Sequence, residues 1–145
     1  MKTVQYLLIT AALLGGLVNA HAAKHSEKAL IERGQYIVTG LGLCADCHTP
    51  MSEKGEPNMS LWLMGSVLMF KPTIEMPWAP ASPAIAGLPS MTKEQGVKFL
   101  MTGLRPDGSR PLPPMPSYRL NEADATAVVT YLKSLQPATA VSGHN

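Results

Sequence analysis

The side chains best suited to chemistry in this chain stand in one short run, Cys44-Ala45-Asp46-Cys47-His48, which offers two thiols and an imidazole. Residues three apart on a helical turn share a face. Both sulfurs can therefore reach the two vinyl groups on one edge of a porphyrin and form thioethers, and the next residue can offer an imidazole nitrogen to the iron. C-x-x-C-H reads on this ground as a c-type haem attachment site, at which the redox chemistry belongs to the iron.

Other uses of these residues fit less well. Structural zinc takes four protein ligands, commonly two C-x-x-C pairs, whereas the chain contains only 2 cysteines. A thioredoxin-like dithiol belongs beside a βαβ pattern, which the sequence does not show. A disulfide is allowed in an exported protein, but at this spacing it would close almost no loop.

The far side of the iron is either open, as in peroxidase-like or gas-sensing haem proteins, or closed by a second ligand. A thioether closes it in many electron carriers and raises the potential. With 9 methionines in the chain, occurrence alone decides nothing. Met64 and Met69 fall in an apolar run, and Met91 and Met101 flank or lie on an amphipathic helix. All four suit packing. Met115 follows Pro113-Pro114 and precedes Pro116, so its loop has little freedom to lose when the sulfur is fixed. We assign Met115 as the second axial ligand of His48. Met76, before Pro77, is the next candidate, and His25 would serve only if the N-terminus folds over the haem.

The elements that must position these residues are mainly helical. Ala29, Leu30, Arg33, Ile37 and Val38 repeat with a 3.6 period after Ser26, a candidate N-cap. Gly34 interrupts that helix at a cost of about 1 kcal/mol relative to alanine, which points to close approach of another backbone. Gly40-Leu41-Gly42 ends it. Met51 to Pro80 is broken by prolines around an apolar run, Leu61 to Phe70, compatible with a strand or with an irregular buried loop. Trp62 and Trp78 lie in this stretch, suited to packing or, through an indole N–H, to a propionate. Thr92 and Gln95 form a capping box for a helix over about 93 to 102, with Val97, Leu100 and Met101 on one face and Gly103 as its stop. Pro106, Pro111, Pro113, Pro114 and Pro116 stiffen the loop that follows. Asn121, with Asp124 three residues on, caps a last helix bearing Ala125, Val128, Val129, Leu132 and Leu135, closed by Pro137.

Composition narrows the partners. Lys2, the apolar run Tyr6 to Val18 and Ala20-His21-Ala22 form a secretory signal over residues 1–22, so export, to a bacterial periplasm, is expected, with no membrane insertion once the signal is removed. A domain over 23–137 and a flexible tail over 138–145 follow. The formal charge is +2, and charged residues are 15% of the chain. That balance favours neither nucleic acid nor an anionic membrane, and points to docking through shape and apolar contact.

In order and type these features resemble class I cytochromes c, the His/Met-ligated single-haem electron carriers: a helix with a glycine, C-x-x-C-H, a middle helix, Met115-Pro116, and a final helix with Tyr131 and Leu132. The resemblance covers nearly all of residues 27 to 136, and departs from the family in the longer stretch from Met51 to about Ala81. It implies an all-α fold of three or four helices, with long proline-rich loops wrapped around one covalently bound haem. It implies that Gly34 meets Tyr131 where the terminal helices cross. Ser82-Pro83-Ala84-Ile85-Ala86-Gly87-Leu88 is similar to the family segment whose proline carbonyl accepts a hydrogen bond from the ligand histidine, which gives Pro83 that role toward His48. The function implied is electron carriage between redox proteins, a dehydrogenase or other oxidoreductase as donor and an oxidase or reductase as acceptor, with no substrate turned over by this chain.

Replacing both Cys44 and Cys47 by alanine removes both tethers. Haem staining of a denaturing gel should then be lost, with either single variant stained weakly or not at all; full covalent loading of the double variant would overturn the attachment site.

Overall fold

The computed structural model describes residues 26–135. The signal segment, His25, Pro137, and the tail with His144 lie outside the described residues. Helix α1 covers 26–36, and Ser26, expected as a cap, is itself helical. The helix runs on into a wider turn, Ile37–Leu41, closed by a 2.7 Å bond from the Gly42 N–H to the Ile37 carbonyl. Helix α2 is Cys44–His48, α3 is Lys93–Thr102 and α4 is Glu122–Ser134.

The sequence signals of α3 and α4 act as written. Thr92 and Gln95 cap α3 reciprocally, and Gly103 ends it in the left-handed region at φ 69°, where a missing Cβ removes the steric penalty. The Asn121 side chain accepts from the Asp124 N–H at 2.8 Å to start α4. Ala125, Val128, Val129 and Leu132 are buried along its inner face, joined by Ala127 and Tyr131.

Three helices meet at two glycines. A Cβ on Gly34 of α1 would lie 2.0 Å from the Ala127 carbonyl oxygen and 2.7 Å from Tyr131 Cβ, both on α4. The backbones of the two helices touch there, with Tyr131 at the crossing. On α3 the corresponding residue is Gly96, where a Cβ would stand 2.7 Å from Leu88 Cδ2 and 3.0 Å from Val129 Cγ2. Gly96 fixes which face of α3 turns inward. Val97 and Leu100 pack against the core, but Met101, expected beside them, is 37% exposed. Five positions beyond Gly96, it lies about 140° around the helix. The Arg33 Nε–H donates to Asp124 Oδ1 at 2.8 Å across the α1–α4 junction, and holds that carboxyl below its ordinary range.

The stretch from Met51 to Ala81 is irregular, with a small antiparallel pair inside it. Asn58 caps a single tight turn, Met59–Leu61. Strand β1, Ser66–Val67, pairs with β2, Ala81–Ser82, in the register Ser66 to Ser82 and Val67 to Ala81. These two-residue strands and an isolated antiparallel bridge between Met51 and Pro57 are the departures from an all-helical architecture among the described residues. Of the apolar run, Leu63 is fully buried, whereas Met69, expected to pack, is 87% exposed. Beyond β1 the chain enters the loop 68–80, where Phe70, Ile74 and Met76 are exposed as well. No described helix is long and apolar enough to cross a membrane.

Gly34→Ala places a methyl against a backbone carbonyl that has no rotamer to move into. The helices must separate, at about 1 to 3 kcal/mol or more, and thermal melting followed by circular dichroism should show a midpoint several degrees lower. Gly34→Leu should cost more still, and an unchanged midpoint would show that the crossing tolerates separation.

Candidate functional site

Helix α2 is a single turn. Leu43 precedes it in the left-handed region at φ 48°, and the Thr49 N–H closes it on the Ala45 carbonyl at 3.0 Å. Cys44 and Cys47 are half-buried and not bonded to each other. His48 is buried, and its Nδ1 lies 2.7 Å from the Pro83 carbonyl oxygen. A carbonyl only accepts, so Nδ1 carries the proton and the lone pair of the neutral ring is on Nε2. No buried side-chain polar atom among the described residues lacks a hydrogen-bond partner, so Nε2, which has none, is the accessible edge of the ring. Burial pushes the His48 pKa down against the opposing pull of the Pro83 bond, and keeps the imidazole neutral at neutral pH.

The two thiols are held toward their protonated form. Burial pushes both upward, with Asp46 adding to the effect at Cys47, whereas reactive dithiols sit where the thiolate is favoured. No group of three or more His, Cys, Asp or Glu side chains able to hold a metal ion gathers among the described residues. Two sulfurs on one helical turn beside a neutral imidazole, proton-fixed on its far nitrogen, fit a haem held by two thioethers and one axial nitrogen.

The turn is held by a chain of hydrogen bonds from distant segments. The Thr49 hydroxyl, buried next to His48, accepts from the Leu63 N–H at 3.1 Å. The Leu63 carbonyl accepts from Ile85 and Ala86 at 2.9 and 3.1 Å, and the Gly87 N–H bonds to the Leu132 carbonyl at 2.8 Å. The segment carrying Pro83 is thereby tied back to the residue after His48 and forward to α4.

Residues 31–136 match the family model for cytochrome c. The chain belongs to the cytochrome c family. It is 34% identical over 125 residues to a fructose dehydrogenase cytochrome subunit of Gluconobacter japonicus, an alignment covering 82% of this chain and 24% of that protein. It is 53% identical over 34 residues to a diheme cytochrome c-type protein of Cereibacter sphaeroides, covering 23% of this chain and 12% of that one. The chain therefore spans about a quarter or less of the length of these curated relatives.

In this cytochrome c domain Met115 is half-buried on the loop between α3 and α4. That loop is bonded to the long hairpin loop, where the Ala79 N–H donates to the Pro113 carbonyl at 2.8 Å. Met64 and Met91 pack against the core, as expected of them. Both indoles have protein acceptors: Trp62 donates to the Tyr131 hydroxyl at 3.1 Å and Trp78 to the Phe70 carbonyl at 3.2 Å. Two contributors had no signal in the sequence. Gly65, at φ 86°, donates its N–H to the His48 carbonyl at 2.7 Å. Tyr118, three residues past Met115, donates its hydroxyl to the Gly42 carbonyl, and so pins the methionine loop beside Cys44. A lone tyrosine in a proline-rich loop has no periodicity to mark it.

Burial, reinforced by Cys44, holds the Tyr118 hydroxyl protonated, its pKa pushed up to about 12. Tyr118→Phe leaves Gly42 without this donor and should lower stability by about 1 kcal/mol. Because the folded pKa lies above the unfolded value of about 10, the tyrosine's contribution is complete below pH 10 and is lost as pH rises toward 12. Chemical denaturation of both proteins across that range should show their midpoints converging, and a constant difference would place the effect elsewhere.

Proposed function

We propose that this chain is an exported, single-haem cytochrome c that passes electrons between redox proteins, with His48 and Met115 as axial ligands. The observation that carries this reading is the buried, neutral His48 with its Nδ1 proton held by the Pro83 carbonyl, on the same turn as two half-buried thiols. When bound, the haem supplies a one-electron Fe(III)/Fe(II) couple. Cys44 and Cys47 tether it, His48 ligates it and Pro83 orients the ring. Met115 closes the sixth position from a loop stiffened by proline, which disfavours direct chemistry with small molecules at the iron.

The lone C-x-x-C-H supports one haem in this chain. Lys2, the apolar run to Val18 and Ala20-His21-Ala22 support removal of residues 1–22 during export to a periplasm. The similarity to a protein named as the cytochrome subunit of a dehydrogenase favours a dehydrogenase as electron donor.

Met115→Ala tests the ligand assignment. Haem should stay covalently attached, since Cys44, Cys47 and His48 are untouched. The weak red charge-transfer band of methionine-ligated Fe(III) should vanish, and the potential should fall with loss of a soft ligand that favours Fe(II). Met76→Ala, Met91→Ala and Met101→Ala should retain the band. Loss of the band in one of these instead would move the ligand there, and a high-spin, carbon-monoxide-binding wild type would replace the carrier by an open-site haem protein.

A further inference from the structure

The β1–β2 pair is too short to add much to the core, yet it meets the end of α2 at three points. The Gly65 N–H, one residue before β1, donates to the His48 carbonyl at 2.7 Å. The Ser82 hydroxyl on β2 donates to the Cys47 carbonyl and accepts from the Ser66 N–H of β1 at 3.1 Å, with the Ser66 carbonyl at 3.2 Å. The carbonyl of Pro83, the next residue, accepts the hydrogen bond from the His48 Nδ1–H. A helix leaves its last carbonyls without internal partners, and here two of them are claimed by one hairpin. The fit is close. A Cβ on Gly65 would stand 2.7 Å from the Ser82 carbonyl oxygen and 2.9 Å from the Pro83 carbonyl carbon.

We propose that this hairpin is a clamp that sets the orientation of the His48 ring, with Ser82 as its positioning residue. The inference rests on the reading of His48 as the axial ligand. Consecutive residues grip the two ends of that ligand: Ser82, the last residue of β2, holds the backbone on which the imidazole is mounted, and Pro83, just past the strand, holds the ring. The distance between the Pro83 oxygen and Nδ1 is therefore fixed by the Ser82 bond. Releasing Ser82 lets β2 shift against α2, the ring bond weakens, and the imidazole becomes a poorer donor to Fe(III).

The test uses the haem-loaded protein. Ser82→Ala should raise the reduction potential and move both the electron paramagnetic resonance g-values and the shifted haem methyl resonances, which report ring orientation. Ser82→Thr keeps the hydroxyl and should restore all three. Should Ser82→Ala fail to accumulate with haem, Ser82→Val and Ser82→Thr, equal in shape, isolate the hydroxyl: the valine protein should differ from the threonine protein in the same three signals. A lower melting temperature with wild-type potential, g-values and methyl shifts would make Ser82 a merely structural residue and overturn the proposal. A wild type whose spectra show no histidine nitrogen on the iron, in either spin state, would instead remove the axial-ligand reading beneath it.

Discussion

A helix of one turn has too few internal hydrogen bonds to persist alone, and Cys44, Cys47 and His48 sit on such a helix. The rest of the chain is arranged around that constraint. The turn is fastened from Thr49 through Leu63 to Ile85 and Ala86, and from Gly87 to the end of α4. The fully buried Leu63 sits at the middle of this path in a left-handed conformation, φ 58°, which costs a non-glycine residue about 1 to 2 kcal/mol. The strain persists because its carbonyl must face Ile85 and Ala86 while its N–H faces Thr49.

Behind the site, Gly34 lets α1 meet the backbone of α4, and Gly96 lets the backbone of α3 meet the Val129 side chain of α4. Close approach increases dispersion contact per residue and suits a chain with few large aromatics. It also makes α4 the common reference. Through Leu132 and Lys133, α4 holds the carbonyl and amide groups of Gly87 and Leu88, and hence the segment that begins at Pro83.

Local signals in the sequence were sufficient for much of this. The Thr92–Gln95 box, the Gly103 stop and the Asn121 cap act within four residues of themselves, so α3 and α4 could be read directly. Gly34 stood out because an interior glycine is costly in a helix. The cysteine spacing pointed to haem for the same reason of short range. The inner face of α3 was misjudged at Met101, since the buried position that orients it, Gly96, has no hydropathy to contribute. The middle stretch was undecidable because its structure depends on partners far along the chain. His48 and Pro83 are 35 positions apart, a separation with no periodic trace, and only likeness to a family suggested the pairing. Ser82, Gly65 and Tyr118 act through backbone groups of α2 and its entry, and backbone groups leave no mark on residue type.

The wide turn at Ile37–Leu41 gives the chain a tolerance to changes of length. Its closing bond spans one residue more than an ordinary helical turn, so a single deletion there can be absorbed by tightening to the α-helical pattern. Between Gly34 and that turn, at 35–36, the same deletion would rotate Gly34 by about 100° relative to the buried Ile37 and Val38 and break the crossing. Insertions and deletions between α1 and the cysteines should therefore be concentrated in this turn, where the distance from Gly34 to Cys44 can change without moving either end from its partner.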